Sequence, residues 1–243
     1  MADSMLTPPR EGIDVGDYSL RDFAVKWLMQ QSDLAELGKY RDANAAVIAR
    51  NDSRNRIVFI GDSITELWGD LAELGNAVTL TLNRGISGQN STQMLLRFED
   101  DAIALAPKLI VLLCGTNDFR CYVGEAPSVG ASARRMIIRN VTAMADIALA
   151  RGTSLVLCAI PPVNAARSVY RDPDSIVAAN DWLAGFAAQR RLDFVDYHAA
   201  LADTSGMLDA TYSEDGVHPN ECGYARMRAV LAPALAPYGC GVS

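Results

Sequence analysis

The 243-residue sequence contains no CxxC pair, no run of basic residues and no apolar stretch near the roughly eighteen residues that a membrane-spanning helix needs. Each absence excludes a class of function. Without a long apolar run, no part of the chain is expected to sit in a bilayer. The opening MADSMLTPPREGIDVGDYSL also lacks a basic start followed by an apolar segment, so the cytoplasm is the expected compartment. A secreted or periplasmic domain that has shed its leader has the same appearance. Five cysteines (Cys114, Cys121, Cys158, Cys222 and Cys240) form an odd set, which argues against a complete disulfide framework and for a reducing environment. His218 and Cys222 stand four apart, but no further His or Cys pair completes a tetrahedral shell, and no metal or cofactor is implied. The net charge of −7 and pI near 4.9 disfavour a nucleic-acid partner. Neither GxxxxGK[ST] nor GxGxxG is present to cradle a phosphate, and GxSxG, the usual elbow of α/β-hydrolases, is missing too.

What is present is enough apolar residue to build a core: 50% of the chain, with 21% charged. Five short apolar runs of strand length stand out: Ile57 to Ile60, Val78 to Leu82, Leu109 to Cys114, Ser154 to Ile160 and Phe194 to Tyr197. Most of them lack polar alternation, which marks strands buried on both faces. Amphipathic segments separate them. Ala133, Met136, Ile137, Val141, Met144 and Ala148 make one apolar stripe stopped by Gly152, and Ile176, Leu183, Phe186 and Ala187 make another. Alternating strands and helices call for a five-stranded parallel sheet with helices on both faces, a three-layer α/β/α sandwich. Before it, Phe23, Trp27, Leu34, Leu37 and Val47 recur at helical spacing, so residues 1–50 read as a polar segment and helical extension packed on a domain spanning 51–243.

In such a fold ligands bind outside the carboxyl ends of the strands. Gly61-Asp62-Ser63 follows the first strand, Asn83-Arg84-Gly85-Ile86-Ser87-Gly88 the second, Gly115-Thr116-Asn117-Asp118 the third, and Asp215-Gly216-Val217-His218-Pro219 comes after the last. These are parts for acyl transfer through a covalent ester. Ser63, at a helix start where free N–H groups and the helix dipole favour negative charge, is the expected nucleophile. His218 is the expected base, and Asp215 its orienting carboxylate. Gly85, with no side chain to block its N–H, and Asn117, with an amide, would join the Ser63 N–H in an oxyanion hole.

GDSI, NRGISG, GTND and DGVHP resemble, in order and spacing over about residues 55–235, the four conserved blocks of the SGNH, or GDSL, hydrolase family. The similarity extends toward platelet-activating-factor acetylhydrolases and bacterial carbohydrate and short-chain acyl esterases. The resemblance implies a flavodoxin-like sheet. It also implies Ser63, His218 and Asp215 as a catalytic triad and Gly85 and Asn117 as oxyanion donors. Residues 1–50 lie outside the blocks.

Each block also has a structural reading. Ser63 followed by Glu66 is a capping box, Asn117 suits a turn, and Pro219 suits the first position of a helix. His198, two residues after Asp196, is the competing histidine and reads as locally bonded at a strand end. Arg120, Tyr122, Arg167, Tyr170 and Arg171 border the expected pocket and read as solvated loop residues. No long amphipathic lid lies between the strands, so the expected substrate is a small acetyl or short-chain ester. An acyltransferase using the same site, or a binding module in which Ser63 only caps, are the alternatives; oligomeric state is not legible.

Overall fold

The computed structural model describes residues 32–50, 52–69, 71–120, 126–169 and 171–239. Phe23, Trp27, Tyr122, Tyr170, Cys121 and Cys240 lie outside them. The chain divides after Leu34, and the unit Ala35–Ser243 holds the sheet and the helices packed on it.

The elements of this unit are α1 (Arg41–Ala49), β1 (Asn55–Gly61), α2 (Ser63–Glu66), β2 (Thr79–Gly85), α3 (Ser91–Asp101), β3 (Leu109–Leu113), α4 (Ala126–Ala150), β4 (Ser154–Cys158), α5 (Pro173–Arg190), β5 (Asp193–Val195), α6 (Tyr197–Leu201) and α7 (Glu221–Leu235). The five strands form one parallel sheet in the order β2-β1-β3-β4-β5. The expected sandwich is therefore present. Ile57, Val58, Phe59 and Ile60 are all at most 1% exposed, and each contributes on the order of 1.5–3 kcal/mol by leaving water.

Alternate residues of each strand serve different layers. Val58, Ile60, Ile110, Leu112, Leu155 and Leu157 pack with Met94 and Phe98 of α3, Ile137 and Val141 of α4, and Ile176 and Leu183 of α5. Ile57, Phe59, Leu109, Val111 and Val156 pack on the other side with Ile64, Trp68, Tyr197 and, from α7, Met227, Leu231 and Leu235.

The strand bounds differ from the sequence reading: β1 runs from Asn55 to Gly61, β3 stops at Leu113, β4 stops at Cys158, β5 begins at Asp193, and two further ends have a visible cause. β2 continues through the polar Asn83-Arg84-Gly85 because its neighbour β1 runs on beside it, with Gly61 opposite Gly85. β5 stops at Val195, because the Asp196 carboxylate accepts the Ala199 N–H at 2.8 Å and starts α6. The helical period before β1 also breaks. Leu34 and Leu37 fall in turns, and among the described residues between Leu34 and β1 only Arg41–Ala49 is helical, with Val47 on its buried side.

Candidate active site

The register of the sheet assembles the site. Gly61, the last residue of β1, lies opposite Gly85 of β2 on one side and Leu113 of β3 on the other. The segments leaving these three strand ends therefore start side by side.

Ser63 is not the cap of the helix it opens. Asp62 is: its Oδ1 accepts the Ile64 N–H at 2.9 Å, while Ser63 is the first helical residue. Glu66 does not close a capping box either. Its Oε2 accepts the N–H and hydroxyl of Ser87 at 2.6 and 2.5 Å. Because α2 is a single four-residue turn, it lacks the macrodipole of a longer helix; what it offers is the Ser63 N–H, without an intrahelical partner at that position. An aromatic cluster supports this turn. Trp68 lies 6.0, 6.3 and 5.3 Å from the rings of Phe59, Tyr197 and Tyr224, and the Tyr224 hydroxyl donates to the Ile64 carbonyl at 2.8 Å.

Ser63 Oγ lies 2.8 Å from His218 Nε2, and His218 Nδ1 lies 2.6 Å from Asp215 Oδ2. Burial pushes the Asp215 carboxyl up. It is outweighed by hydrogen bonds from the His218 ring and from the backbone N–H groups of His218 and Val217, which bring it down to about 2. An ionised Asp215 accepts only, so Nδ1 carries the ring proton and Nε2 is left to accept from the serine hydroxyl. Such an arrangement can draw the serine proton onto the ring as the hydroxyl attacks a carbonyl. His198 is not part of it; burial lowers its pKa, and Ser63 faces His218.

Asn117 is 6% exposed and donates from Nδ2 to the Gln89 carbonyl at 3.1 Å, which fixes its amide against the turn after β2. Its neighbour Asp118 accepts the Ser91 N–H and hydroxyl at 2.9 and 2.5 Å and so ties the GTND segment to the start of α3. Burial raises the Asp118 carboxyl to about 6.

Gly85 does not sit as expected. Its N–H donates to Asn83 Oδ1 at 2.9 Å, and a Cβ on it would meet the Glu66 backbone nitrogen at 2.1 Å. Glycine is required there so that β2 can pass against α2, not to expose an N–H to a reacting oxygen. Gly88, three residues on, is the better candidate. It is exposed, holds a left-handed φ of 80°, and among the described residues none accepts its N–H. The sequence carries this signal in the second glycine of NRGISG.

Two of the three arginines expected on solvated loops are structural. Arg171 is 4% exposed and donates from Nε to the Thr116 carbonyl at 3.2 Å, bracing GTND; Arg167 donates to the Asp215 carbonyl at 3.0 Å. Arg120 is exposed. A cavity of about 350 Å³ bounded by Leu149, Ser154, Arg190 and Asp193 opens at the opposite end of the strands and holds none of the groups above. Among the described residues no cluster of His, Cys, Asp or Glu is arranged to hold a metal, and no helix is long and apolar enough to cross a membrane.

The model of the GDSL-like lipase/acylhydrolase family matches residues 59–226, more than half of the chain. The chain belongs to this family. Solved structures agree with that membership. A GDSL-like lipase from Bacteroides thetaiotaomicron is 29% identical, with a TM-score of 0.71 over 84% of this chain and 99% of that one. A Streptococcus pneumonia protein named for platelet activating factor is 27% identical, with a TM-score of 0.70 over 88% and 99%. An acetyl xylan esterase from Geobacillus stearothermophilus, 20% identical with a TM-score of 0.59 over 79% and 97%, shares the fold. No curated protein matches the sequence.

Two buried groups of this GDSL-family chain escaped the sequence reading. Arg97 has no exposure, and its guanidinium donates to Gln89 Oε1 (2.6 Å), the Arg84 carbonyl (2.8 Å), the Gly61 carbonyl (2.9 Å) and Asp101 (3.2 Å). It therefore joins the ends of β1 and β2. Its signal was an arginine between the core residues Met94 and Phe98, with an aspartate four residues on. The second is Asp62. Its carboxyl is raised to about 6 by burial, partly offset by the Ile64 N–H, His218 and Arg171.

Proposed function

We propose that this member of the GDSL family is a serine esterase that hydrolyses small esters, acetyl or short-chain, through an acyl-Ser63 intermediate. The observation that carries the proposal is the pair of contacts from Ser63 to His218 and from His218 to Asp215, at 2.8 and 2.6 Å. In this mechanism Ser63 Oγ attacks the ester carbonyl while His218 Nε2 takes its proton. The ring returns that proton to the leaving alcohol, then draws one from water as the water oxygen attacks the acyl carbon; the bond to Ser63 Oγ breaks, the carboxylic acid leaves and the ring returns the proton to Oγ. Asp215 holds the ring and stabilises the imidazolium. The tetrahedral oxyanion receives hydrogen bonds from the Ser63 N–H, the Asn117 amide and the Gly88 N–H, in place of the Gly85 N–H. The partner is a small-molecule ester.

The test is incubation with a fluorophosphonate followed by mass analysis, together with hydrolysis rates for an activated-ester series from acetate to octanoate. Labelling at Ser63 and rates that fall with chain length are expected. Wild-type protein left unlabelled at Ser63 removes the esterase reading; a maximum at octanoate removes the short-chain preference.

A further inference from the structure

The turn carrying Gly88 has an exposed tip at Ser87 and Gly88, yet hydrogen bonds to residues outside it hold it at several points. Tyr40 donates its hydroxyl to the Gly85 carbonyl. Gln89 Nε2 donates to the Ala35 carbonyl at 2.8 Å. Glu66 takes both Ser87 donors through Oε2, at 2.6 and 2.5 Å, and holds the Lys39 ammonium on Oε1. Ala35, Lys39 and Tyr40 precede β1 and lie outside residues 59–226, over which the family model matches.

We propose that residues 35–40 and Glu66 are a positioning element that fixes the Gly88 N–H where a reacting oxygen meets it. Because this rests on the esterase reading, wild-type labelling is measured alongside it. A glycine-containing turn has the most backbone freedom to lose, and misplacing a catalytic group by about 1 Å costs up to about 10²-fold in rate. The tethers themselves are built to stay put. The Arg84 guanidinium lies 4.8 Å from the centre of the Tyr40 ring and holds it from one face. Burial and the Glu66 carboxylate push the Tyr40 phenol up to about 12, so it remains a donor at ordinary pH.

Energetically the two roles separate. The Lys39–Glu66 side chains are 31% and 29% exposed, and an ion pair so open to solvent adds little to folding. Loss of these tethers should therefore reach turnover before it reaches stability. Tyr40 and Glu66 are positioning residues, acting through the turn without touching substrate.

The experiment compares full-length wild type with Tyr40→Phe, Glu66→Ala and Glu66→Gln, using an activated acetate ester, Ser63 phosphonylation rate and circular dichroism. Tyr40→Phe should lower kcat about tenfold and Glu66→Ala up to about 10²-fold, with KM within about twofold and the pH midpoint unchanged. Glu66→Gln, which keeps an acceptor for the Ser87 N–H, should recover part of the loss. Wild-type kcat per folded molecule in both Tyr40→Phe and Glu66→Ala overturns the inference while leaving the esterase reading intact. A loss that only tracks the folded fraction does the same. Wild type unlabelled at Ser63 overturns the esterase reading and the inference with it.

Discussion

Ser63 Oγ and His218 Nε2 lie 2.8 Å apart across 155 residues of sequence. The packing behind them accounts for this proximity. Ile57 and Phe59, a few residues before Ser63, share a core layer with Met227, Leu231 and Leu235 of α7, the helix that begins just after His218. Tyr224 of the same helix reaches the Ile64 carbonyl at 2.8 Å, so α7 is bonded to the turn that carries Ser63.

Ser63→Ala and His218→Ala should each lower kcat for an activated acetate ester by roughly 10⁴-fold or more, and the double variant should lose little beyond either single one, because the two side chains act as a unit. Steady-state rates, with folding checked by circular dichroism, measure this. Losses that multiply in the double variant would mean that the two groups act separately.

Asn117→Ala and Gly85→Ala should fail differently. The first removes a proposed oxyanion donor and should cut kcat per folded molecule by about 10² to 10³. The second sets a methyl group against the backbone of Glu66 at 2.1 Å and should lower the thermal midpoint or the yield of folded protein. Kinetics and thermal unfolding on both variants separate the roles. A fully stable Gly85→Ala with a large kcat loss would restore Gly85 as the donor.

Arg97→Met should destabilise the fold by about 3–5 kcal/mol, the usual result of removing one partner of a buried ion pair. Asp101 would remain buried at 1% exposure, and the Gly61 and Arg84 carbonyls would lose a donor. Urea unfolding midpoints give the value, and a change under about 1 kcal/mol would contradict it.

Asp62 should make stability fall as pH rises. Its folded-state value of about 6 lies above the ordinary 3.8, so between those values the folded chain binds more protons than the unfolded one. Its contribution is intact below about pH 4 and is lost as pH climbs through about 6. Asp62→Asn cannot ionise and should gain on wild type across that window, by on the order of 2–3 kcal/mol. Unfolding free energies at pH 4, 5, 6 and 7 test this; a constant difference between the two proteins would refute it.

Much of the architecture was legible in local sequence. Ile57 to Ile60 read as a strand buried on both faces because apolar continuity is a property of neighbouring residues. The stripe on α4 was legible for the same reason, although it did not disclose Asn140, which is buried on that face and donates to Ser91 Oγ at 2.8 Å. Polar residues on an apolar stripe find partners on other elements, and local spacing does not name those partners. Glu66 shows the same limit: its spacing from Ser63 fits a capping box, but Ser87 offered two donors within reach.

The sequence by itself determined which chemistry was available: one serine after the first strand, an aspartate and histidine three apart after the last, and an asparagine after the third. Those are facts of residue type and order, and β-strand and turn propensities along the chain place them after strands. Only the tertiary structure decided which atoms face one another. It set His218 rather than His198 against Ser63, engaged the Gly85 N–H with Asn83, left the Gly88 N–H without an acceptor among the described residues, and buried Arg97 and Arg171. The physical reason is that directional hydrogen bonds and close packing depend on separations of a few ångströms between segments remote in sequence, and the packed sheet and helices fix those separations.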